Sequence, residues 1–209
     1  CGKSTLGRML LQLTEPSGGS VRLNGTDLTQ CSRRELRKLR SQMQMVFQNP
    51  YASLNPQMTL YEILYEPLLL HTSLSPAQKK ERILELVHQV QLFPEHLSRY
   101  PHQFSGGQRQ RIAIARALAT HPAFIVFDES VSALDVRVQA SILNLIQQLR
   151  RQYAFSALFI SHDLSVVHYI SDRILVMQNG RVVEINEANA LFRSPVEPYT
   201  QKLLRSAMH

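Results

Sequence analysis

The chain has 209 residues, 44% hydrophobic and 19% charged, proportions that exclude a disordered protein and allow one good core with at most a small subdomain. No apolar run approaches the ~18 residues of a membrane helix, no basic-then-apolar leader is visible, and two cysteines, Cys1 and Cys31, cannot build a disulfide framework, so a cytosolic, reducing setting is expected. The net charge of +7 would suit nucleic acid or an anionic membrane surface, but a solvated basic face is the simpler account.

The chain opens on Cys1-Gly2-Lys3-Ser4-Thr5, which resembles the second half of a P-loop, G-x-x-x-x-G-K-[ST]. In that motif backbone N–H groups wrap phosphates, the Lys reaches the β and γ oxygens, and the next hydroxyl binds Mg²⁺. On that resemblance Lys3 carries the charge, Ser4 is the Mg²⁺ ligand, Thr5 faces the α-phosphate side, and Cys1 fills a variable position. Because the chain begins with Cys rather than Met, the first half of the loop and the strand before it are expected upstream of residue 1. Leu6, Met9, Leu10 and Leu13 recur at helical spacing behind the loop.

Pro16–Gly19 reads as a turn, and Val21 and Leu23 alternate up to Asn24-Gly25, a strand and hairpin signal. Residues 31–40 hold five basic side chains, with Leu36 and Leu39 giving a short helix one apolar edge. Without interleaved aromatics to stack bases, this is a solvated face rather than a nucleic-acid arm. Met43–Phe47 is a strand candidate ending at Gln48, followed by a proline-punctuated loop to Pro56. Thr59–Leu70 is expected to be helical, and Ser75-Pro76-Ala77-Gln78 opens a second helix with a capping box and an apolar stripe of Ile83, Leu86, Val87 and Val90.

The stretch 104–135 joins four pieces without a gap. Ser105-Gly106-Gly107-Gln108 starts a helix, whose free N–H groups and partial positive charge can hold an anion. Ala123–Phe127 is an unbroken apolar run, as in a strand buried on both faces of a parallel sheet, and it leads into Asp128-Glu129. Acids just past the carboxyl end of such a strand sit where open α/β sheets bind ligands. A polar loop then reaches Asp135 and an amphipathic helix closing on Arg150-Arg151, two charges favourable to its dipole. Phe155–Ile160 reads as another buried strand, ended by Ser161-His162-Asp163. Ile174–Met177, Asn179-Gly180 and Val182–Glu184 form a hairpin, and Pro195 and Pro198 precede a short terminal helix. The histidines other than His162 show no ligand spacing and are read as surface or packing residues.

SGGQ, an apolar strand ending in Asp-Glu, and SALD, in that order and spacing, resemble the signature, Walker B and D-loop of ATP-binding cassette (ABC) ATPases. VFQNPYASLNP and the tail LF-x-x-P with PYT-x-x-LL look like the peptide and nickel importer branch. The resemblance implies an α/β fold: a P-loop NTPase core with a mostly parallel sheet and, at about residues 57–120 of a single domain, an inserted helical subdomain carrying the signature. It makes Gln48 the Q-loop residue touching Mg²⁺ and the attacking water, Asp128 a holder of Mg²⁺ through water, Glu129 the general base, and His162 the H-loop residue reaching the γ-phosphate. Ser105, Gly106, Gly107 and Gln108 would cover the ATP of a second cassette, with Asp135 linking the two sites. The insertion is too short for the coiled coil of a chromosome-structure ATPase.

Two departures from the family pattern, Ser130 for Pro and Phe104 for Leu, leave both acids and an apolar anchor in place, and the adenine-stacking aromatic is expected upstream. The implied protein uses ATP and Mg²⁺. It is a peripheral subunit on the cytoplasmic face of the inner membrane, paired with a second cassette and two permease subunits, served indirectly by an extracytoplasmic solute-binding protein, and without nucleic acid. The competing readings are a soluble cassette acting on ribosomes or nucleic acid and a non-hydrolysing regulatory cassette, the latter opposed by Glu129 and His162.

Overall fold

Three parallel strands position everything that follows. In the computed structural model, which describes residues 2–49 and 53–207, β3 (Met43–Val46), β4 (Phe124–Asp128) and β5 (Ser156–Ile160) lie side by side in that order. Val46 stands opposite Phe127, and Asp128 opposite Ile160, so all three strands end at one edge of the sheet. Gln48, Asp128-Glu129 and Ser161-His162 therefore leave from neighbouring positions. The readings placed on Cys1, on the 50–52 part of the proline-punctuated loop and on His209 lie outside the described residues.

Parallel strands need long crossovers. Between β3 and β4 the described residues include the α-helices α3 (Leu60–His71), α4 (Pro76–Gln89) and α5 (Gly106–Leu118). Each begins on a reciprocal capping box, Thr59 with Glu62, Ser75 with Gln78 and Ser105 with Gln108, which satisfies two orphan donors apiece. Between β4 and β5 runs α6 (Val136–Tyr153), N-capped by Asp135, whose carboxylate accepts the Val138 N–H at 3.0 Å. One buried cluster joins these layers: Leu64, Ile83, Leu86 and Ile112 of the helices, Phe127 of β4 and Ile142 of α6 are all fully buried.

On the sheet's other face α1 (Lys3–Leu10) and α2 (Arg33–Leu39) cover a second cluster of Leu11, Leu28, Met43, Val126 and Ile160. Leu36 and Leu39 pack against that cluster while the basic side chains of α2 face solvent, as the sequence predicts. The hairpin of β1 (Arg22–Leu23) and β2 (Thr26–Asp27) turns at Asn24-Gly25. After β5 come α7 (Leu164–Ile170), the hairpin β6 (Arg173–Gln178) and β7 (Arg181–Glu187), and helices α8 (Ala188–Arg193) and α9 (Pro198–Ala207), packed around Ile174, Val176, Leu191 and Leu204.

One strand departs from expectation. β5 is not buried along its length: Ser156 and Ala157 are exposed, Leu158 and Phe159 half-buried, and only Ile160 is fully inside. Among the described residues β5 pairs with β4 alone. The short helix α8 also carries no capping or periodic signal strong enough to announce itself.

Candidate active site

The N-terminus of α1 faces the carboxyl edge of the sheet. Gly2 precedes the helix at φ 92°, a left-handed conformation that costs glycine little. The first intrahelical bond runs from the Leu6 N–H to the Gly2 carbonyl, and no side chain caps the helix, so the Lys3, Ser4 and Thr5 N–H groups are left for an external acceptor. Lys3 Nζ donates to the Ser161 carbonyl at 3.0 Å, bridging α1 and the end of β5. Ser4 Oγ donates to Asp128 Oδ1 at 2.8 Å. Asp128 is only 6% exposed, and this hydroxyl bond is what couples the buried carboxylate to α1. Thr5 is exposed.

Glu129 takes an unusual backbone. Its φ of 47° is uncommon for a side chain of this kind, and two contacts hold it there. Its N–H donates to the Ile160 carbonyl at 2.9 Å, and its own carbonyl accepts the Ser132 hydroxyl at 2.9 Å. The turn sends the carboxylate out of the sheet, where Oε2 accepts Gln48 Nε2 at 2.9 Å and Oε1 lies 3.6 Å from His162 Nδ1. Ser130, which follows, is buried with its hydroxyl unpartnered, and Phe104 is buried edge-on to His96.

Lys3, Ser4, Gln48, Asp128, Glu129 and His162, six positions drawn from four separate segments, thus converge on one edge. The remaining sequence-derived positions do not join them. Ser105 and Gln108 bond to each other, with the Ser105 N–H on Gln108 Oε1 at 3.0 Å, at the start of α5. Gly106 lies against Leu134, just before Asp135, and Gly107 against Val138 in the first turn of α6. Among the described residues no hydrogen bond or ion pair links this second group to the first. Sequence reasoning missed the Ser161 carbonyl as the partner of Lys3; a backbone oxygen leaves no trace in residue type.

This arrangement combines uncapped helix N–H groups, a lysine cation, a hydroxyl paired with a buried carboxylate, and a second carboxylate held between an amide and an imidazole. Such a set fits phosphoryl chemistry, which needs positioning and charge neutralisation more than covalent participation.

Comparison with known proteins agrees. A family model described as ABC transporter matches residues 1–132. The chain is 49% identical over 204 residues to the di/tripeptide transport ATP-binding protein DppF of Pseudomonas aeruginosa (strain UCBPP-PA14), covering 98% of this chain and 63% of that protein. It is 51% identical over 207 residues to the putative oligopeptide transport ATP-binding protein YkfD of Bacillus subtilis (strain 168), covering 99% and 63%. The chain therefore spans less than two thirds of the length of these relatives. Among solved structures, the dimeric ATP-binding cassette MJ0796 in a post-hydrolysis state bound to ADP and Pi superposes with a TM-score of 0.79 at 30% identity, over 90% of this chain and 81% of that one. CbiO1 of Clostridium perfringens gives 0.83 at 24% identity, over 92% and 75%, a likeness of fold.

Proposed function

Since the chain belongs to the ABC transporter family, we propose that it is the ATP-hydrolysing subunit of an importer for di- and oligopeptides. The observation that carries this reading is the convergence of the Ser4–Asp128 pair and the Gln48–Glu129–His162 group on the uncapped N-terminus of α1. Both relatives are named for peptide transport, which favours peptides over nickel as cargo.

The triphosphate lies across the α1 N–H groups, and Lys3 exchanges the Ser161 carbonyl for phosphate oxygens. The oxygen donors at this edge, the Ser4 hydroxyl, the Gln48 amide oxygen and the buried Asp128 carboxylate, fit a hard divalent cation such as Mg²⁺, which keeps few protein ligands beside phosphate and water. When bound, Mg²⁺ neutralises charge on the phosphate oxygens. Glu129 takes a proton from the water whose oxygen bonds to the γ-phosphorus, while the bond to the β–γ bridging oxygen breaks and that oxygen departs with ADP. Gln48 and His162, flanking the carboxylate, fix its direction.

The group Ser105–Gln108 with Asp135 stands apart from this edge and completes the site of a second cassette. The dimeric form of the MJ0796 cassette supports that arrangement. Residues 57–120 act as the helical subdomain, and two permease subunits dock near it and Gln48, at the cytoplasmic face of the inner membrane. A solute-binding protein outside the membrane supplies the peptide.

The test is phosphate release from ATP by the purified protein. Release should require Mg²⁺ and fall at least ~10²-fold in Lys3→Ala, the scale of a lost charge-stabilising donor. Wild-type protein that releases no phosphate, or Lys3→Ala that matches wild type, contradicts the proposal.

A further inference from the structure

Helix α2 borders a cleft of about 760 Å³ that also touches the 12–19 segment and the end of α3. Arg33, Arg37 and Arg40 line it, together with Leu70 and His71 of α3. Among the described residues that line it, Glu15 is the one acid.

A solvated basic face is the simplest alternative, and two features set the cleft apart from one. The first is that its charge is not neutralised within the chain. Glu35, the one acid in residues 31–40, accepts the Ser32 N–H at 2.8 Å and the Ser32 hydroxyl at 2.6 Å and lies in the field of Lys38, so it is committed to its own helix. Among the described residues no ion pair or hydrogen bond engages the guanidinium of Arg33, Arg37 or Arg40. Arg33 and Arg37 stand four apart, as do Arg34 and Lys38, and like charges at that spacing repel and weaken a helix. An anionic surface turns that repulsion into attraction.

The second feature is the apolar surface beside the basic one. Leu70 is 62% exposed and Leu69, next to it, 56%. Cations beside exposed aliphatic groups suit the boundary of a bilayer, where the charges meet phosphate and the leucines leave water. Helix α2 has seven residues and packs Leu36 and Leu39 inward, so the contact is made at headgroup depth, not by insertion. A free phosphate makes no use of the leucines. Nucleic acid fits less well, since no Phe, Tyr or Trp lines the cleft to stack a base.

We propose that this cleft binds the phosphate headgroups of anionic lipid, so that Arg33, Arg37 and Arg40, with Leu70, hold this face of the chain against the bilayer. The proposal goes beyond the function given above, in which permease subunits alone hold the chain at the membrane.

The test is co-sedimentation of the purified protein, without nucleotide, with vesicles of phosphatidylcholine alone or with about 30% phosphatidylglycerol. Two charge-matched variants separate the cleft from net charge: Arg33→Gln with Arg37→Gln on the cleft, and Arg34→Gln with Lys38→Gln away from it. Wild type should bind the anionic vesicles alone. The cleft pair should lower the partition coefficient ~30-fold and the other pair ~3-fold or less. Leu70→Ser, which keeps every charge, should lower it ~3-fold. All five positions are exposed, so Tm should stay within ~3 °C. Equal loss in the two pairs, equal binding to neutral vesicles, or no binding to either overturns the proposal. Release from the vesicles by inorganic phosphate at matched ionic strength would assign the cleft to free phosphate and overturn it. Tighter binding of a single-stranded RNA, lost in the cleft pair, would assign it to nucleic acid with the same result. The assay uses neither nucleotide nor permease, so its failure leaves the proposed function standing. A protein that binds these vesicles without hydrolysing ATP loses that function alone.

Discussion

At Gly107 the backbone of α5 comes so near α6 that a Cβ would lie 2.6 Å from Val138 Cγ1. The glycine that sequence reasoning assigns to phosphate recognition is thus demanded first by packing, since neither the β-branched Val138 nor the helix start it belongs to can give way cheaply. Gly107→Ala should destabilise the protein by ~1–3 kcal/mol in urea denaturation, and Val138→Ala in the same chain should return much of that loss. A strictly additive double variant would contradict the contact. Asp128, Glu129 and His162 were legible as polar groups placed where apolar runs stop, whereas Lys3, Ser4 and Gln48 were singled out by their resemblance to family motifs. What was not legible at this scale is whatever depends on backbone, such as the Ser161 carbonyl under Lys3 or the left-handed turn at Glu129.

Among elements, Arg82 ties α4 to the ends of α5 and α6. Its guanidinium is 6% exposed and donates to the Leu118 carbonyl at the end of α5, to the Tyr153 hydroxyl at the end of α6, and to Glu85 at 2.7 Å. Tyr153 also lies under the guanidinium, 5.1 Å from ring centroid to Cζ. Because Glu85 is 48% exposed, deleting the arginine strands no buried charge, so the cost comes from lost hydrogen bonds and packing. Arg82→Met should cost ~1–3 kcal/mol in denaturation. Burial pushes the Glu85 carboxyl up, and the Arg82 guanidinium, with Gln89 and Tyr153, outweighs it and holds the carboxyl below its ordinary 4.5. A depressed carboxyl stabilises above its unfolded value and loses that contribution as pH falls through the folded one. The gap in stability between wild type and Arg82→Met should therefore narrow as pH drops below 4.5. A gap that widens in acid would contradict this assignment.

A capping box is local chemistry, so the one at Ser75 was read from four residues, and Thr59 and Ser105 each likewise meet their partner three residues on. Burial of β5 could not, because an apolar run says nothing about how many neighbours its strand will have. The same holds for Arg116, whose partners, the Ser53 carbonyl and Glu66, lie 63 and 50 positions away.

For the molecule as a whole, the proposed function turns the two groups of site residues that stand apart in one chain into a single requirement: the reacting edge of one cassette would need Ser105–Gln108 of another. The three parallel strands and α1 supply the first surface, and the starts of α5 and α6, packed through Gly107 and Val138, supply the second. Among the described residues no helix is long and apolar enough to cross a membrane. The measurement closest to the centre of this account is phosphate release by Glu129→Gln, with MgATP affinity and mass by light scattering taken on the same sample. The account predicts affinity within a few-fold of wild type, turnover lower by ~10²–10⁴-fold, the scale of a lost general base, and a dimer that persists with MgATP. Turnover near the wild-type rate would contradict it.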